Sequence, residues 1–93
     1  MKNLYIIAYD ISNNKKRNRM ADLLSKWGRR INLSVFECVF TKKQLEKTKE
    51  KIESLIDNNT DSVKIYFICK NCYSKSSVLG IQEKYLYDTT FFE

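Results

Sequence analysis

The stretch Leu4-Tyr5-Ile6-Ile7-Ala8-Tyr9-Asp10 constrains the fold more than any other part of the chain. Its residues favour an extended backbone, and alternation sets Leu4, Ile6 and Ala8 on one face against Tyr5, Ile7 and Tyr9 on the other. A strand apolar on both faces belongs inside a sheet, with neighbours on each side. The rest of the chain must supply those neighbours and a cover for the sheet. Met20, Leu23, Leu24 and Trp27 recur at helical spacing and predict one buried stripe. Ser12 or Asn13 is placed to cap the start of that helix, and Gly28 is expected to stop it. Residues 31–40 read as extended, either one bent strand or two short ones. Thr41-Lys42-Lys43-Gln44 has the pattern of a capping box and opens a second helix. Leu45, Ile52, Leu55 and Ile56 form its apolar face, and Asp57-Asn58-Asn59 ends it. Residues 62–69 predict a last strand, with Val63, Ile65, Phe67 and Cys69 alternating against Lys64, Tyr66 and Ile68. The order predicts an α+β domain with the ferredoxin-like βαββαβ arrangement.

A chain of 93 residues is expected to form a single domain. With no Pro and only Gly28 and Gly80, its connections should be short. Residues 1–80 hold the predicted core and 81–93 a tail. Tyr85-Leu86-Tyr87-Asp88-Thr89-Thr90-Phe91-Phe92 is too apolar for an idle tail, and the edges of a four-stranded sheet invite an added strand. The expectation is an extra C-terminal strand that pairs with the partner protomer, with packing on its own domain as the alternative.

Lys and Arg outnumber Asp and Glu by 17 to 11, a net charge of +6. That balance favours polyanions, because phosphate contacts release condensed counterions, although small basic proteins also bind nucleic acid adventitiously. No apolar run reaches the length of a membrane span, so no membrane partner is expected. The first residues lack the apolar stretch of a signal peptide, and three cysteines, an odd number, argue against a secreted disulfide framework. A cytoplasmic setting is expected.

Histidine is absent, which excludes imidazole acid–base chemistry and nucleophiles activated by it. Phosphodiester hydrolysis here would need carboxylates with a metal, or Lys, Arg and Tyr. Asp10 ends an otherwise apolar strand, where ligands of open sheets gather. From position alone it reads equally as a Mg²⁺ ligand and as a helix cap, although Ser12 and Asn13 are better-placed caps. Lys15, Lys16, Arg17 and Arg19 crowd the first turns of the helix, the end that disfavours cations. A bound phosphate would reverse that penalty; a merely solvated charged face is the plainer account. Arg29 and Arg30 extend the basic surface. Cys69-Lys70-Asn71-Cys72 offers too few ligands for structural zinc, with only Cys38 besides, and is expected to be structural. The lysines of the second helix are expected to be solvated.

Tyr9-Asp10-Ile11, the basic pair Arg17 and Arg19, and Gly28 followed by Arg29-Arg30 stand together with Ser34-Val35-Phe36-Glu37. With Asp61-Ser62-Val63, Ile65-Tyr66 and Leu79-Gly80, they resemble the small CRISPR-associated endoribonuclease of the spacer-acquisition machinery, over essentially the whole chain. That family often has Gln where Asn32 stands. The resemblance implies a ferredoxin-like homodimer in which Asp10 faces its symmetry mate and binds Mg²⁺ between subunits. It also implies that Arg17, Arg19 and Phe36 belong to the active region, with Tyr9 beside Asp10. The implied chemistry is in-line attack of a metal-activated water on a phosphodiester of single-stranded RNA or of DNA. A different role is equally compatible with the family: a non-catalytic dimeric scaffold that bridges copies of the CRISPR integrase and holds double-stranded DNA. A sheet-surface RNA-binding module would want stacking aromatics in a pattern absent here, and an mRNA-cleaving toxin of related fold is the remaining alternative.

Overall fold

The computed structural model describes residues 1–80; the expected C-terminal strand lies outside the described residues. Strand β1 (Lys2–Asp10) is followed by helix α1 (Asn14–Ser25) and the hairpin of β2 (Gly28–Asn32) and β3 (Val35–Thr41). Helix α2 (Lys42–Leu55), strand β4 (Ser62–Ile68) and a short helix α3 (Lys70–Lys75) complete it. The sheet has the order β2-β3-β1-β4, with all neighbours antiparallel. This is the ferredoxin-like arrangement. The doubly apolar β1 takes an interior position, between β3 and β4.

Register explains the division of the faces. Tyr5 lies opposite Cys38 and Phe67, and Ile7 opposite Phe36 and Ile65. Tyr5, Ile7, Phe36 and Cys38 join Tyr9, Phe40, Met20 and Leu24 of α1, and Leu45 and Ile52 of α2, in one buried core, with Ile65 half-buried against it, whereas Phe67 is 58% exposed. The other face carries Leu4, Ile6, Ala8, Val35, Val39 and Ile68, aligned by the same register, and neither long helix contributes to it. Both helices start as their sequences require. The Asn13 side chain accepts from the Lys16 amide at 3.0 Å, which decides between the two candidate caps. Thr41 and Gln44 form the complete reciprocal capping box, with bonds of 3.1 and 2.9 Å.

Several features differ from expectation. Helix α1 ends at Ser25, so Trp27 packs on Phe40 from the turn, with ring centroids 5.4 Å apart, rather than from the helix. Gly28 does not stop the helix; it opens β2. A Cβ there would collide with the Glu37 carbonyl oxygen, so the absent side chain lets β2 approach β3. Residues 31–40 resolve into two strands, the first of which begins earlier than the hydrophobic pattern suggested. Arg30 faces Phe36 and Asn32 faces Val35, which leaves Ile31 as the extra residue of a bulge. Finally, β4 stops at Ile68, and Cys69 caps α3, its Sγ accepting from the Cys72 amide at 3.3 Å. The C-x-x-C thus opens a helix instead of closing a strand.

Candidate active site at the end of the first strand

Asp10 is the last residue of β1, exposed, with its main chain paired to Ser62 of β4. One residue earlier, the Tyr9 amide donates to the Ser34 carbonyl in the β2–β3 turn at 3.0 Å. Three elements therefore meet where β1 ends. They form an open depression of about 380 Å³ lined by Tyr9, Asp10, Arg17, Asn18, Arg30 and Ser34, among others. Among the described residues, no hydrogen bond or ion pair engages the Asp10 carboxylate, so its oxygens are available to a ligand.

The predicted basic residues separate into groups. Arg17 and Arg30 line the depression with Asp10. The Arg30 guanidinium lies over the Phe36 ring, 5.4 Å from its centroid, and Phe36 in turn stacks on Tyr9 at 6.3 Å. Tyr9 is 6% and Phe36 1% exposed, so these aromatics form the floor that holds Arg30 and do not offer a ring to a base. Arg29, on the next position of β2, points to the opposite sheet face and approaches Glu37 at 3.8 Å. Strand alternation thus splits a pair that looked like one patch. Lys15 and Arg19 are exposed on α1, and Lys16 is half-buried; none of the three lines the depression.

Arg17 resolves part of the electrostatic puzzle at the start of α1. Its Nη1 donates to the carbonyls of Ile11 at 2.9 Å and Ser12 at 3.2 Å. These are partial negative charges supplied by the loop itself, which offset the cation's unfavourable place near a helix N-terminus. Asp61, at the end of the α2–β4 turn, was legible only as part of a motif. Its carboxylate accepts from the Ser12 amide at 3.3 Å and the Asp57 amide at 2.9 Å. Those backbone bonds, with Thr60 and the nearby Lys16 charge, hold its pKa below the usual aspartate value.

The thiols are arranged differently. Cys38 is fully buried in the core, and loss of hydration pushes its pKa up to about 12. Bonding to the Cys72 amide lowers Cys69, while the interaction with Cys69 raises Cys72. Among the described residues, no group of three His, Cys, Asp or Glu side chains gathers to hold a metal. The site offers one hard oxygen ligand per chain. That donor set does not suit zinc, whereas Mg²⁺ takes one or two protein carboxylates and completes its shell with waters and phosphate oxygens. Asp10 fits such an ion when the rest of the shell comes from a second copy, water and substrate.

Fold and site define a class: a small ferredoxin-like domain with one strand-end carboxylate set among arginines. Residues 2–76 match the family model of CRISPR associated protein Cas2, and the chain belongs to that family. It is 40% identical over 80 residues to the CRISPR-associated endonuclease Cas2 2 of Thermus thermophilus, covering 86% of this chain and 84% of that one. A second relative, CRISPR-associated endoribonuclease Cas2 3 of Synechocystis, is 32% identical over 77 residues, covering 83% and 84% of the two chains. The crystal structure of Streptococcus pyogenes Cas2 superposes with a TM-score of 0.75 at 29% identity, covering 83% of this chain and 99% of that one.

Proposed function

We propose that the protein is a Mg²⁺-dependent endonuclease of CRISPR adaptation that works as a homodimer with Asp10 at its catalytic centre. The observation that carries this reading is the unengaged Asp10 carboxylate in a depression shared with Arg17 and Arg30. Relatives of this chain named as Cas2 endonucleases and endoribonucleases support the activity. The open sheet face supports the dimer: Ile6, Ala8, Val35, Val39 and Ile68 are apolar, only half-buried, and left without cover by the two long helices. Pairing these faces across a two-fold axis would supply a second carboxylate without any further acidic motif.

When bound, Mg²⁺ would supply a polarised water and offset the charge that develops on the phosphate. Asp10 would hold that ion. Arg30, braced on Phe36, is positioned to meet a phosphate oxygen by a charge-assisted hydrogen bond. With no histidine in the chain, protonation of the leaving oxygen falls to solvent. RNA and DNA phosphodiesters share the chemistry this site reads, and single-stranded RNA is the first substrate to test.

The test is cleavage of single-stranded RNA by rigorously purified wild-type protein and Asp10→Ala, each with Mg²⁺ and with EDTA. Wild-type cleavage should need Mg²⁺, and Asp10→Ala should lose activity by roughly 10²-fold or more while remaining folded, as expected when several kcal/mol of charge stabilisation is removed. Equal cleavage by both proteins would remove Asp10 from the mechanism.

A scaffold role is favoured by a separate observation, the net charge of +6 per chain. Two copies carry more positive charge than one scissile phosphate requires, and such a surface suits a DNA duplex. In this role the dimer holds double-stranded DNA and joins the CRISPR integrase. Spacer acquisition in cells carrying Asp10→Ala separates the two roles, because bridging needs shape and charge but no activated water.

A further inference from the structure

Resting on the nuclease reading above, we infer that Asp61 and Arg17 act as positioning residues that grip one peptide group and so fix the backbone that aims Asp10. The geometry is specific to the Ile11–Ser12 peptide. Its carbonyl accepts from Arg17 Nη1 at 2.9 Å, and its N–H donates to Asp61 Oδ1 at 3.3 Å. The grips come from different parts of the fold, one from α1 and the other from the turn before β4. A peptide plane has one donor and one acceptor, and holding both leaves it no freedom to rotate. This plane is the second after Asp10, joined to it through Ile11, so its orientation helps set the direction in which the chain leaves β1.

Asp61 is itself held. Its Oδ2 accepts from the Asp57 amide at 2.9 Å, its own amide donates to the Asp57 carbonyl at 2.8 Å, and Thr60 Oγ1 donates to Oδ1 at 3.1 Å. The main chain of the next residue, Ser62, is opposite Asp10 in the ladder. Asp61 therefore ties the loop after Asp10 to the same strand that pairs with Asp10. On the other side, the Ile11 side chain is 2% exposed and anchored in the core. Releasing this peptide would loosen the Asp10–Ile11 link that it terminates and let the Asp10 carboxylate shift relative to Arg30, and displacement of about 1 Å at a catalytic group can cost up to about 10²-fold in rate.

The test compares wild type, Asp61→Ala, Asp61→Asn and Asp10→Ala by steady-state cleavage of single-stranded RNA, thermal unfolding and NMR hydrogen exchange of the Ser12 amide. Asp61→Ala should lower kcat by about 10-fold or more with little change in KM, since it touches geometry and not substrate. Its Ser12 amide should exchange roughly 5- to 10-fold faster, the loss expected for one hydrogen bond of about 1 kcal/mol. Asp61→Asn, which keeps one acceptor oxygen, should fall between on both readouts and serves if the alanine variant fails to fold. Unchanged Ser12 exchange in a folded variant overturns the clamp. So does an unchanged kcat where wild-type cleavage depends on Asp10. Wild-type cleavage indifferent to Asp10 instead defeats the nuclease reading, and the clamp is then decided by Ser12 exchange alone.

Discussion

Glu37 shows how a single residue can carry two environments at once. It lies on β3 beside core residues Phe36 and Cys38, yet alternation turns it to the open face, where it is 6% exposed. Burial raises its pKa, and the Arg29 guanidinium at 3.8 Å only partly opposes that. The sign follows directly. A carboxyl that is easier to protonate in the folded state adds stability that is complete below the unfolded glutamate value, about 4.3, and is lost as pH rises through the raised folded value. Glu37→Gln does not titrate, so its melting temperature relative to wild type should climb as pH rises from about 4 and then level off. Melting curves of the two proteins across that range provide the check; a constant difference would mean that Glu37 titrates as it does in the unfolded chain. Residues of this kind were poorly legible in the sequence. Ser34-Val35-Phe36-Glu37 stood out as a motif, but nothing in it said that Phe36 would be a floor for Arg30 or that Glu37 would be buried. Arg29 and Arg30 looked like one basic patch because adjacent letters hide strand alternation, which sends them to opposite faces.

Elements were more legible where local chemistry decided them. The Thr41–Gln44 box and the Asn13 cap act within a few residues, so sequence reveals them. Gly28 is the contrary case. Its role is set by the Glu37 carbonyl, which is distant in sequence and adjacent in space, and helix-stop chemistry was the only local explanation available. The short α3 was likewise hidden, since Cys69 continues the alternation of β4 while serving as the cap of the next turn. These two origins predict different penalties. Thr41→Ala should cost about 0.5–2 kcal/mol, the usual range for a lost N-cap. Gly28→Ala should cost more, about 1–3 kcal/mol or beyond, because a backbone oxygen cannot step aside as a side chain can. Urea denaturation of the two variants ranks them. Equal stability of Gly28→Ala and wild type would contradict the close approach of β2 and β3.

At the scale of the molecule, the interior placement of β1 was the firmest expectation, and it brings Asp10 to the meeting point of β4, the β2–β3 turn and α1. The sequence made the fold and Asp10 visible because both follow from one strand. It left the grip on the Ile11–Ser12 peptide invisible, because one of its two bonds joins residues 49 positions apart. Under the proposed function, a single carboxylate per chain makes the functional unit two chains. The central claim is that Asp10 works as a pair across a two-fold axis, and one measurement addresses it directly. Wild-type and Asp10→Ala proteins are denatured together, refolded as mixtures so that subunits reassort, and assayed for Mg²⁺-dependent cleavage against the wild-type fraction. If both carboxylates of a dimer are needed, activity follows the square of that fraction, so an equal mixture retains about a quarter. A linear dependence, with about half of the activity retained in the equal mixture, would contradict the shared site and return catalysis to each subunit alone.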